Sequence, residues 1–180
     1  MYQNDPSITD PDECIYDLPE EPCVRMAWSF AKDISGSQLI RPILDHLRAN
    51  LDRKTITKIV YLSRQNSIAV MKADAMEQAD AERVMKRFLF LHHAGMRKPL
   101  PFFPKTSYAY YSGTDDQKNK AAILRWNGSQ NSQGEVEKFG DFFGPELQIS
   151  DAFKSLAEAF FGAVVFRKEN STVKGKGKRK

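Results

Sequence analysis

The chain lacks several sequence patterns that identify common enzyme classes. It has no glycine-rich phosphate-binding loop ending in Gly-Lys-Ser or Gly-Lys-Thr, so we do not expect the chain alone to bind and hydrolyse ATP. GxSxG, HExxH and CxxC patterns are also missing, which removes the usual sequence evidence for a serine hydrolase, a zinc protease or a redox centre. The histidines His46, His92 and His93 are not spaced with the cysteines as a metal site. We therefore expect no catalytic residue, no metal and no cofactor.

Long apolar runs are missing as well. No stretch approaches the roughly 20 apolar residues that span a bilayer, and the N-terminus lacks the basic and apolar regions of a signal peptide. The chain has only 2 cysteines, Cys14 and Cys23, which is typical of a cytosolic protein with reduced thiols, with a disulfide between them as the open alternative. We expect a cytoplasmic protein without a membrane partner.

Charge is distributed unevenly along the chain. The net charge is +4, but residues 1–23 contribute −7 and residues 167–180 contribute +6, which leaves the middle at +5. We expect an acidic, disordered arm over 1–23, one folded domain over 24–166 and a basic, disordered tail over 167–180. A basic body is compatible with nucleic-acid binding without establishing it.

Periodicity within the domain predicts a mixed α/β fold with a small sheet flanked by helices. Apolar residues alternate from Val24 to Phe30, and two β-rich runs, 55–62 and 67–73, predict a hairpin separated by 64–66. Helical spacing predicts further elements at 39–51, from a capping box at 74–77 to about 93, from about 107 to 111, at 115–126, and from 149–151 onward.

Three prolines lie within six residues of the least ordinary stretch, 98–111. Each proline fixes φ, removes a backbone donor and pushes the preceding residue towards extended geometry. We therefore expect residues 98–104, which we call the proline strap, to be a stiff connector between two helices. Gly95 is expected to end the first helix, and Thr106 or Ser107 to cap the second.

The strap also carries the residues that we predict to make contacts. Leu100, Phe102 and Phe103 are too apolar for an open loop, so we expect them to fix the strap to a core or to contact a partner. The cations that flank the strap and those of the tail are the predicted DNA-binding residues: Arg97, Lys98, Lys105, Lys174, Lys176 and Lys178.

Metal-dependent nucleases of the PD-(D/E)xK type place a carboxylate and a lysine two residues apart on a strand. Asp52 and Lys54 have this spacing, as do Asp116 and Lys118. Both pairs are predicted at helix boundaries, where residues two apart diverge. We therefore predict that neither pair forms a metal site.

The run from Gly95 through Lys98-Pro-Leu-Pro-Phe-Phe-Pro-Lys-Thr-Ser-Tyr-Ala-Tyr110 resembles the central signature of the RecC C-terminal domain. Weaker pieces follow in the family's order, and together they extend the resemblance over about 39–166. These pieces are 39–47, Trp126–Gly128, Gly134–Glu135, Phe142–Pro145 and Phe153–Phe160.

This resemblance implies a fold like that of PD-(D/E)xK nucleases without their catalytic residues. It further implies a scaffold that contacts RecB-like and RecD-like subunits of exodeoxyribonuclease V and helps to guide split single strands from double-stranded DNA ends during repair and recombination. The chain is much shorter than a RecC subunit, so we also consider a truncated, split or fragment form. Two other functions remain open: a stand-alone nuclease of the same fold, and an interaction adaptor that does not bind DNA.

Overall fold

The computed structural model describes residues 22–29, 34–63, 67–129 and 132–169. The strands in these ranges are β1 (Cys23–Ser29), β2 (Thr55–Leu62), β3 (Ile68–Ala73), β4 (Gly128–Ser129), β5 (Ser132–Gln133) and β6 (Arg167–Glu169). The helices are α1 (Gly36–Asp52), α2 (Gln78–Arg97), α3 (Pro104–Ser112), α4 (Lys118–Asn127), α5 (Val136–Phe143) and α6 (Asp151–Phe161).

The main sheet has four strands in the order β1-β2-β3-β6. β1 runs parallel to β2, while β2–β3 and β3–β6 are antiparallel. Neighbouring parallel strands require a crossover connection, and α1 supplies it. β4 and β5 form a separate two-stranded ribbon.

The inner face of the sheet packs against α1. Residues two apart on a strand share a face, so Ile59 and Tyr61 of β2 lie beside Met71 and Ala73 of β3. All four are buried. They form the first core together with residues from α1, α2 and α6, including Leu39, Ile43, Leu47, Ala81, Phe88 and Phe161.

The outer face of the sheet, formed by the alternate residues, is mixed: exposed apolar side chains lie beside a charged row that contains Lys58 and Lys72. Trp28 is 71% exposed and Ile68 is 66% exposed. Val24, Met26 and Leu62 share this exposed face. The fold therefore exposes apolar side chains on β1 and at the β2–β3 end of this face.

A second core lies among α3, α4, α5 and α6. Its buried members are Phe103, Tyr110, Ala122, Trp126, Phe153 and Ala157. Trp126 is fully buried, and its indole N–H donates to the Pro145 carbonyl at 3.0 Å. This contact satisfies the indole donor within the core.

Several predicted elements are confirmed. The β1 strand, the β2–β3 hairpin and α1 occupy the predicted segments, and Ser150 caps α6 by accepting from the Phe153 N–H at 3.2 Å. Phe30 and the 64–66 connection lie outside the described residues.

Helix boundaries differ from the predictions on both sides of the strap. α2 continues through Gly95 to Arg97 and ends at Lys98, whose backbone is extended because Pro99 follows it. α3 begins at Pro104 after Phe103, rather than after Thr106 or Ser107, because proline is favoured in the first helical turn.

Other boundaries also need correction. α2 follows Glu77 without a side-chain cap, so no capping box forms at 74–77; Asp74 instead pairs with Lys72 at 2.7 Å. The predicted 115–126 helix begins at Lys118, and α5 was not predicted.

The ends of the predicted domain are also refined. β1 begins at Cys23 and β6 occupies the first three residues of the predicted basic tail. Cys23 is buried and disulfide-bonded, which corrects the expectation of a reduced thiol. Residues 1–21 and 170–180, for which disorder is predicted, lie outside the described ranges. No helix in the described ranges is long and apolar enough to cross a membrane.

Candidate functional site

The proline strap connects α2 to α3 and contacts both cores. Phe102 packs against Phe160 and Phe161, with ring centroids 4.9 and 5.8 Å apart. Phe103 packs against Trp126 at 4.6 Å and is only 2% exposed. Consecutive residues in extended backbone point in opposite directions, so the prolines place these two rings in different cores.

An apolar groove of about 470 Å³ lies beside the strap. Leu100 and Phe102 form its strap side. The remaining lining comes from α1, α2 and α6: Leu44, Met85, Phe88, Leu89, Leu91, His92, Leu156 and Phe160. The groove could accept an apolar side chain, but its lining supplies little polar chemistry.

A distant carboxylate fixes the start of α3. Glu135 is 5% exposed and accepts the backbone N–H of Lys105 at 3.1 Å and that of Thr106 at 2.7 Å. The first N–H groups of a helix have no partner within the helix, and they favour negative charge. Glu135 therefore holds the exit of the strap against the start of α5.

The predicted apolar contact residues are separated by the fold. Leu100 and Phe102 border the open groove, whereas Phe103 is enclosed in the second core. The enclosed position leaves Phe103 with almost no surface for a partner, and the partner contact stays a prediction for Leu100 and Phe102.

The predicted cations do not form one cluster. Arg97 and Lys98 are exposed at the end of α2, and Lys98 borders a cavity that also contains Glu146. Lys105 lines a different cavity, together with Arg125 and Lys168. Lys174, Lys176 and Lys178 lie outside the described residues.

Neither carboxylate–lysine pair lies on a strand. Asp52 is the last residue of α1, and Lys54 pairs with Glu77 at 2.5 Å. Lys118 pairs with Asp115 rather than Asp116, and that hydrogen bond raises the pKa of Lys118. Within the described ranges, no group of three metal-ligating side chains occurs.

His46 belongs to a buried polar group between α1 and the sheet. Its Nδ1 lies 2.9 Å from the Thr57 Oγ1, and burial lowers the pKa of His46 to about 4. Asn50, one turn later, accepts from the backbone N–H groups of Thr55 and Met76 at 2.9 and 3.0 Å. These hydrogen bonds join α1 to β2 and to the segment before α2.

His92 and His93 occupy a different environment. Both are exposed near the end of α2, with their ring centroids 5.9 Å apart. His92 lines the apolar groove, whereas His46 contacts Thr57 in the buried polar group.

The sequence did not predict two of the cations that line the cavity beside Lys105. Arg125 lies on α4, whose sequence contains no binding motif, and Lys168 was predicted to belong to the basic tail. No local motif connects these residues to Lys105; only their charge could have suggested them. Glu135 was likewise noted as part of a resemblance, with no indication of its contact to α3.

The family model of the RecC C-terminal domain matches residues 15–115, a range that contains the strap and α1. The weaker pieces that begin at Trp126 lie beyond this match. A search of curated proteins found no match. Because the family model matches more than half of the chain, the protein belongs to the RecC C-terminal domain family.

Proposed function

We propose that this chain is a non-catalytic scaffold and strand-guiding domain of an exodeoxyribonuclease V-type helicase–nuclease. It acts in the cytoplasm with RecB-like and RecD-like subunits, in double-strand break repair and recombination. The family match over the strap carries this proposal, because membership in the family supports involvement in RecBCD-type DNA repair with partner subunits.

The strap suits a scaffold because its exit is fixed and two of its aromatic side chains are anchored. Glu135 fixes its exit, and Phe102 and Phe103 anchor it in separate cores. A surface that is already ordered loses little conformational entropy when a partner binds. The adjacent apolar groove and the outer face of the sheet are the surfaces that we assign to protein partners.

A non-catalytic role is supported by the surroundings of the carboxylate–lysine pairs. Lys54 and Lys118 are paired with Glu77 and Asp115, and neither reaches a metal-site arrangement with its predicted partner. We propose that the domain has a fold related to PD-(D/E)xK nucleases and uses it for assembly.

Co-purification with RecB-like and RecD-like subunits tests the scaffold role. We expect a stable complex that is weakened by Leu89→Asp in the groove and retained with Glu137→Lys on exposed α5. Failure of the wild-type chain to enter a complex with either subunit would refute the scaffold role.

A nuclease assay tests the absence of catalysis. With Mg²⁺ or Mn²⁺, we expect the purified chain not to cleave single- or double-stranded DNA. Metal-dependent cleavage that Asp52→Ala abolishes would establish the stand-alone nuclease instead.

The basic tail should add weak, non-specific DNA affinity. Lysines can neutralise phosphates without reading sequence, and the binding constant then falls with salt by a log–log slope of about −0.9 per duplex phosphate contact. Deletion of residues 171–180 should flatten this slope. An unchanged slope would assign the binding to the folded domain.

The outer face of the sheet favours a second function, an interaction adaptor that does not bind DNA. Trp28 and Ile68 present apolar surface that suits a protein partner. Retained binding to the partner subunits without measurable DNA affinity would select this function over strand guidance.

A further inference from the structure

A cavity of about 430 Å³ lies between the inner face of the sheet and helices α3 and α4. Its volume is within the roughly 300–1,000 Å³ typical of ligand pockets. Lys105 reaches it from α3, Arg125 from α4 and Lys168 from β6. Three elements that are distant in sequence thus bring cations to the same cavity.

The charged residues that line this cavity are all cationic. Within the described ranges, none of the three cations forms a salt bridge with a carboxylate. Other cavities differ: Lys98 shares its cavity with Glu146, and Arg167 shares another with Asp74. The cavity lined by Lys105, Arg125 and Lys168 therefore carries positive charge that no carboxylate neutralises. This charge favours an anion, because low-dielectric walls strengthen the electric field within a cleft.

Aromatic side chains form part of the same wall. Tyr61 is 5% exposed and Tyr108 is partly buried, with its ring centroid 5.1 Å from that of Phe161. Packing holds these rings in place before any ligand arrives. Proteins that bind single-stranded nucleic acid combine a positive groove with aromatic faces on which bases stack.

We propose that this cavity binds a nucleotide of single-stranded DNA, with its phosphate against Lys105, Arg125 and Lys168 and its base against the partly exposed ring of Tyr108. This assignment rests on the proposed strand-guiding function and gives it a location. A concave site of this volume accommodates a single nucleotide, whereas a duplex is too wide to enter. Ser35 and Ser112 line the rim as additional polar groups.

The test compares two triple variants of the full chain. The cavity variant carries Lys105→Gln, Arg125→Gln and Lys168→Gln. The control variant carries Arg87→Gln, Lys120→Gln and Lys138→Gln, three exposed cations that do not line the cavity. Both variants lose the same charge, so a difference between them reports position rather than net charge.

Fluorescence anisotropy with a 15-nucleotide oligothymidylate is the measurement. We expect the cavity variant to bind at least tenfold more weakly than wild type, with the salt slope flattened by about 0.7 for each lost phosphate contact. The control variant should remain within threefold of wild type. Ser112→Trp obstructs the rim of the cavity without removing charge, so it should also weaken binding. This variant replaces the triple variant as the test if the triple variant does not fold.

The possible failures are distinct. If wild type binds the oligonucleotide but the cavity and control variants behave alike, the cavity assignment is overturned while strand guidance stands. If wild type does not bind the oligonucleotide, the cavity assignment and the strand-guiding function are both overturned. Complex formation with the partner subunits then still tests the scaffold role. If thymidine 3′,5′-bisphosphate binds as tightly as the strand, the ligand is a free nucleotide and the DNA assignment is overturned.

Discussion

Phe102 and Phe103 are consecutive in sequence, yet their rings lie in different hydrophobic cores. Phe102 contacts Phe160 beside the sheet, and Phe103 contacts Trp126 among the C-terminal helices. The strap therefore couples the two cores through one peptide bond. A change at either ring should weaken the association between the sheet half and the helical half of the domain.

Phe103→Ala should lower the free energy of unfolding by about 3–5 kcal/mol, because it leaves a cavity among aromatic rings. Urea denaturation followed by circular dichroism measures this change. Phe142→Ala is the matched control, since Phe142 is 78% exposed and its loss should cost less than about 0.5 kcal/mol. Equal effects of the two substitutions would contradict the enclosed position of Phe103.

Glu135→Gln should destabilise the domain by about 1–3 kcal/mol. The amide keeps one acceptor but loses the charge, and its NH₂ group would face a backbone N–H of Lys105 or Thr106. Thermal unfolding measures the effect. Glu137→Gln, an exposed neighbour, should change stability by under about 0.5 kcal/mol. If Glu135→Gln leaves the free energy of unfolding unchanged, the hydrogen bonds to α3 contribute no net stability.

Two glycine-to-alanine substitutions should have opposite signs. At Gly36, an added Cβ would overlap the Pro104 carbonyl oxygen and lie 2.5 Å from the Tyr108 Cβ, so α1 and α3 would have to separate. We expect a loss of about 1–3 kcal/mol. At Gly95, an added Cβ would lie 3.5 Å from the Leu100 Cδ1, an ordinary contact.

Since alanine favours a helix over glycine, Gly95→Ala should stabilise the domain by about 0.5–1 kcal/mol. Parallel urea titrations of the two variants provide the comparison. A stable Gly36→Ala variant would mean that α1 does not pack so closely on α3.

Stability should fall as pH falls from about 6.5 to about 4. Burial lowers the pKa of His46 from 6.5 to about 4, so in this interval the unfolded chain binds a proton that the folded chain does not. The loss should reach at most about 3 kcal/mol at the lower pH. His46→Gln should remove this part of the pH dependence, whereas His92→Gln should retain it. Chemical denaturation at a series of pH values distinguishes them.

The outer face of the sheet should cause self-association when no partner is present. Trp28→Gln with Ile68→Gln should reduce the mean mass measured by sedimentation at high concentration, because it removes exposed apolar area. Phe142→Gln, an equally exposed aromatic on α5, is the control. If the wild-type chain is monomeric at all concentrations, the predicted self-association through this face is wrong.

The sequence predicted the elements whose information is local. Alternating residues gave β1 and the β2–β3 hairpin, a repeated apolar stripe gave α1, and Ser150 marked the start of α6. Helix ends near the strap were predicted less well. Gly95 can continue a helix at modest cost, and the prolines themselves determine where α2 ends and α3 begins.

The sequence by itself determined the stiffness of the strap, because proline constrains φ and the preceding residue whatever the surroundings. It also supplied the resemblance that the family match confirms. Only the tertiary structure decided which side chains meet. Glu135 reaches Thr106 from 29 residues away, and Lys105, Arg125 and Lys168 share a cavity although they lie on α3, α4 and β6. Such meetings depend on how helices pack against a sheet, and the local pattern around each residue contains no record of its distant neighbours.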